Sequence, residues 1–191
     1  MPCGVRPNHV QKASDANDAL RLVVDFARTG RLGPLYCGMS LEQVEDLLGP
    51  PDDVQGRRRP HRRRPRYYLW GTDLQLLICD DTVVRISVPC WGSDRHPVGL
   101  PAPIGGWRRP PTSRLPMDDV IAALDAAGCS WREAPEMVVD RDGPGRAIRT
   151  LETGVVLVFG PDVDGDEPGA WLHAVMKDFP DAAPGSPSEG C

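Results

Sequence analysis

Four histidines and six cysteines are the side chains with which this chain of 191 residues could hold a metal or run nucleophilic chemistry. Their spacing supports neither. Cys3, Cys37, Cys79, Cys90, Cys129 and Cys191 form no CxxC pair, whereas a structural zinc site draws four ligands from closely spaced pairs. Cys90 and His96 could supply two ligands, but nothing nearby completes a set, so no metal and no cofactor is expected. His9, His61 and His96 fall in loose or proline-rich segments, and only His173 lies on an expected strand, without a nucleophile beside it. Asp80-Asp81 and Asp118-Asp119 read as a turn and a helix N-terminus. The run Asp162-Val163-Asp164-Gly165-Asp166-Glu167 imitates the start of a calcium loop. Such a loop needs glycine at its sixth position and an acid at its twelfth, where this chain has Glu167 and His173. No GxSxG elbow, HExxH helix, phosphate-binding loop or dinucleotide fingerprint is present. The chain therefore reads as a binder rather than an enzyme. A small enzyme or ligand-binding protein of unrecognised type stands as an alternative, because catalytic groups can converge from distant positions.

The charge distribution is uneven. There are 22 basic and 27 acidic residues, for a net charge of −5. Seven arginines (Arg57, Arg58, Arg59, Arg62, Arg63, Arg64 and Arg66) fall within ten residues that contain no acid, which leaves 15 basic against 27 acidic residues, or −12, elsewhere. A duplex-binding domain is usually basic over a whole face. Here a basic segment is joined to an acidic body. The segment reads as a solvated loop, or alternatively as a docking arm for nucleic acid or an acidic partner. At 40% hydrophobic and 26% charged, the composition is that of a soluble globular protein. No apolar run approaches the length of a membrane helix, no secretory signal layout opens the chain, and reduced thiols in the cytoplasm are expected.

The elements that must position these residues form two similar series. Residues 1–14 look like a flexible lead-in. From Asp15, Leu20, Val23, Val24 and Ala27 fall at helical spacing up to Gly30. Ser40 and Gln43 make a capping box for a helix carrying Leu41, Val44, Leu47 and Leu48, with Met39 as a staple. Gly49-Pro50-Pro51 ends it. A hairpin follows, with Leu74, Leu76 and Ile78 alternating toward Asp80-Asp81-Thr82, and Val84, Ile86 and Val88 returning. These elements make a first unit over residues 15–88. Residues 89–114 hold six prolines and four glycines, with Trp91 and Trp107, and read as a connection. A second unit over 115–179 carries a helix (Met117, Val120, Ile121, Leu124), a strand from Val155 to Phe159 and a strand from Trp171 to Lys177. Residues 180–191 read as a disordered tail.

Aligning Met39 with Leu115 places Leu41, Val44 and Leu48 on Met117, Val120 and Leu124. It also places Leu74, Leu76 and Ile78 on Val155, Leu157 and Phe159, and Val84, Ile86 and Val88 on Leu172, Ala174 and Met176. The segment Gly38-Met39-Ser40-x-x-x-Val44-x-x-Leu47-Leu48-Gly49-Pro50-Pro51 resembles the opening of the small modules of the β-lactamase inhibitor protein and barrel-assembly lipoprotein families. The chain is also similar to actinobacterial proteins thought to act as immunity proteins for toxins. The motif spans about 14 residues, and the second half lacks the Gly-Met opening, reading Arg114-Leu115-Pro116-Met117. The resemblance implies a binding scaffold of helices on antiparallel sheet.

The expected fold is thus α+β: two repeated helix-plus-hairpin units with one or two small antiparallel sheets covered by helices. With Leu172, Ala174 and Met176 facing the core, Trp171, His173 and Val175 face away, as do Gln75, Arg85 and Ser87. Trp171, His173, Arg85 and Gln75, with Tyr68 and Trp70, are the expected partner-binding residues, because aromatic residues and arginine dominate interface energetics. Alternatively the connection over 89–114 covers this face. The expected partner is another protein, a toxin or enzyme, with nucleic acid the second choice and no membrane.

Overall fold

The computed structural model describes residues 9–55, 65–71, 73–90, 100–101, 104, 115–137, 145–161 and 170–179, with side chains from residue 17 onward. Its elements are α1 (His9–Thr29), α2 (Leu41–Leu48), β1 (Asp53–Gln55), β2 (Arg66–Trp70), β3 (Leu74–Cys79), β4 (Thr82–Pro89), α3 (Met117–Ala126), β5 (Trp131–Glu133), β6 (Arg146–Thr150), β7 (Val156–Gly160) and β8 (Trp171–Asp178). The fold is α+β. All eight strands join one antiparallel sheet in the order β1-β2-β3-β4-β8-β7-β6-β5, so there is a single broad sheet where the sequence left one or two small ones. The C-terminal strand lies at the centre, paired with β4 on one side and β7 on the other.

Local chemistry accounts for the helices. Ser40 Oγ accepts the Gln43 amide at 3.2 Å, while Gln43 Oε1 accepts the Ser40 amide at 3.0 Å. Both orphan donors are thereby satisfied. Gly49 takes φ of 78° and returns its N–H to Glu45 O. The α1 helix starts at His9, upstream of the Asp15 expected from its apolar spacing. Its buried stripe is Ala19, Val23, Phe26 and Ala27, with Leu20 and Val24 at the core margin. The β3–β4 turn has Asp80 and Asp81 at φ of 47° and 59°. Two consecutive left-handed residues match the right-handed twist of a tight hairpin, and aspartate tolerates them better than most side chains.

All three helices cover one face of the sheet. The core between them joins Phe26 of α1, Val44 of α2 and Val120 and Leu124 of α3 to Leu74, Leu76 and Ile78 of β3, Val83, Ile86 and Val88 of β4, Leu157 and Phe159 of β7, and Leu172 and Val175 of β8. Simple alternation fails in two places. The register shifts between Leu77 and Ile78 opposite β4, and between Val158 and Phe159 opposite β8. Ile78 pairs with Val83 and Leu77 with Arg85, so Val84 is the extra residue; by the same count His173 is the extra residue on β8. A bulge sets two residues against one and reverses the parity beyond it. Val175 therefore joins the core, while Ala174 and Met176 turn to the opposite face, the reverse of what the alternation predicted. Among the described residues no helix is long and apolar enough to cross a membrane.

Candidate binding face

The face opposite the helices can be read row by row from the register. One row crosses the sheet from edge to edge: Asp53, Leu69, Gln75, Ser87, Met176, Val156, Arg149 and Arg132, each the Cα partner of the next. A second row holds Gln55, Tyr67, Leu77, Arg85 and Asp178. A third holds Pro89, Ala174, Val158 and Ala147.

The two ends of this face differ in chemistry. Over β6 and β7 the third row is small, and the chain folds back across it. Ala134 donates its amide N–H to its partner Ala147 O at 2.8 Å, a 3-10 turn follows at Pro135–Met137, and a small second core of Ala134, Ala147 and Val156 forms with Met137, Val158 and Met176 around it. Arg149 meets Glu136 at 3.5 Å there. Over β2, β3 and β4 no described element covers the sheet. Tyr67 is 36% exposed, and Leu69, Gln75, Leu77, Arg85, Ser87, Met176 and Asp178 are half-buried.

Arg85 is fixed in this bare half by a bidentate pair with Asp178, Nε to Oδ1 and Nη2 to Oδ2, the latter at 3.2 Å. The Asp178 hydrogen bond raises the Arg85 pKa further above its already high ordinary value, Tyr67 adds to the effect, and burial opposes it. The guanidinium thus stays charged and held at the seam between β4 and β8. Planar bidentate pairing of this kind sets orientation as well as charge.

The expected site residues separate into three groups. Gln75 and Arg85 lie on the open face as their spacing implied. Trp171 and His173 sit at the far end of β8 from Asp178, roughly 20 Å along the strand at ~3.3 Å per residue. There Trp171 pairs with Gly160, and the His173 ring packs over Gly160 with Nε2 at 2.9 Å from Pro161 O. They are not gathered with Arg85. Tyr68 and Trp70 need correction, because they face the helices. Trp70 pairs with Leu74 and Tyr68 with Leu76, which are core residues, and Trp70 is 2% exposed with Nε1 donating to Gly49 O at 2.9 Å. Their places on the open face belong to Tyr67 and Leu69. The signal was the short β2–β3 connection with Gly71 at φ of 64°: a hairpin there ties the parity of β2 to that of β3.

In the basic segment Arg66 is half-buried on β2, on the helix side by its pairing with Ile78; Arg57, Arg58, Arg59, Arg62, Arg63 and Arg64 lie outside the described residues. So do Trp91, Trp107, His96, the acidic run 162–167 and the tail 180–191. Two described points of the connection, Leu100 and Ile104, are buried in the helix-side core.

A crevice of about 20 Å³ between Leu22, Val23, Phe26, Leu32, Val88, Cys90, Leu115 and Val175 is apolar and has room for about one water. Among the described residues no three His, Cys, Asp or Glu side chains converge, and Cys37 and Cys129 are free thiols. No family model, curated protein or solved structure matches the chain.

Proposed function

We propose that this chain is a non-catalytic protein-binding module acting in the cytoplasm, most concretely an immunity-type inhibitor that neutralises a toxin or enzyme by steric occlusion. The observation that carries the proposal is the bare half of the sheet, where Tyr67, Leu69 and Leu77 stand beside the fixed Arg85–Asp178 pair. An aromatic and an arginine set among aliphatic side chains on rigid strands have the makeup of an interface centre. Strand-borne side chains also lose little freedom on binding.

The reading of two repeated units, made from the alignment of apolar positions in the two halves, draws support from matching details. In the first unit Leu41 N–H bonds Asp81 O at 2.8 Å and Val83 N–H bonds Met39 O at 2.9 Å. In the second, Met117 N–H bonds Ala170 O and Leu172 N–H bonds Leu115 O, both at 2.9 Å. These pairs obey the Met39-to-Leu115 alignment, with Val83 rather than Val84 now matched to Leu172. Each unit also has its register shift one strand before its last, at Leu77/Ile78 and Val158/Phe159.

The test measures affinity for the product of the neighbouring gene, and inhibition of that product's activity, with wild type and Tyr67→Ala, Leu77→Ala and Arg85→Ala. Losses of roughly tenfold or more per substitution are expected at an interface centre. Unchanged affinity and inhibition across all three variants would remove the open face from the mechanism.

A further inference from the structure

We draw no further inference here: the strongest candidate, the bare half of the sheet face opposite the helices around Tyr67, Leu77 and Arg85, belongs to the site already described, and nothing in the structure shows what covers it.

Discussion

Gly160 has no room for a side chain. A Cβ built there would lie 2.5 Å from His173 Cε1 and 2.7 Å from Nδ1, closer than non-bonded atoms approach. The ring cannot simply swing aside without giving up the bond from Nε2 to Pro161 O. Gly160→Ala should therefore cost about 1–3 kcal/mol by overpacking, and much of that cost should vanish in a His173→Ala background. A urea-denaturation double-mutant cycle checks this, and a coupling near zero would refute it. The role of His173 is thus to fill the space over a glycine, which its position on a strand could not reveal. Cys37 makes a second case. Burial pushes its thiol up to about 11 from the ordinary 9.0, while Lys177 pulls the other way, and Sγ donates to Lys177 O at 3.4 Å. With the folded value raised, the folded protein keeps a proton that the unfolded chain loses between about pH 9 and 11. Its contribution to stability is full below that window and falls as pH rises through it, and Cys37→Val should flatten stability over this range. Alkylation followed by peptide mass spectrometry should find Cys37 inert around pH 8 in the folded state and reactive in urea.

At the scale of elements, legibility followed the reach of the interactions. The α2 helix could be read completely because its start, stripe and stop are written within a dozen consecutive residues. Ser40→Ala should cost about 0.5–2 kcal/mol, measured by chemical denaturation. A cost of zero for Ser40→Ala would mean that tertiary packing alone holds the helix. The β3–β4 hairpin was equally plain, since alternation and two turn aspartates agree. The misreadings on β4 and β8 have one cause. Val84 and His173 are extra residues opposite a neighbouring strand, and a pairing irregularity leaves no mark on the alternation of the strand that carries it. Strands β2, β5 and β6 were missed for another reason. They are three to five residues long and rich in Arg and Tyr, and such segments become strands only when a neighbour fixes them. The same effect put Tyr68 and Trp70 among the partner-binding residues and hid Tyr67 and Leu69, so of the bare half only Gln75, Arg85 and Ser87 were foreseen.

For the whole molecule, the decisive question is whether the N-terminal and C-terminal halves unfold as two domains or as one. The main core answers for one. Phe26 and Ala27 of α1 belong to the same buried cluster as Leu76 and Ile86 on one side of the seam and Leu157 and Val175 on the other. The C-terminal strand is hydrogen-bonded to both halves, and Phe179 N–H reaches Val84 O at 2.8 Å. The Thr153 hydroxyl bonds Ala27 O near the C-terminal end of α1, and the Lys177 ammonium donates to Thr153 O. A cation beside a helix C-terminus is favourable, so α1, the opening helix of the first half, is fastened to the second half as well. Cooperative unfolding of N and C halves is therefore expected at low protein concentration, with far-ultraviolet dichroism and tryptophan fluorescence giving superimposable transitions. Arg85→Ala leaves Asp178 half-buried without its partner and should cost about 1–3 kcal/mol, shifting the midpoint while both probes still coincide. If the probes instead separate in that variant, with amides of β3 and β7 exchanging at different global rates, the seam rather than the common core is what joins the halves, and the molecule is two domains sharing a strand boundary.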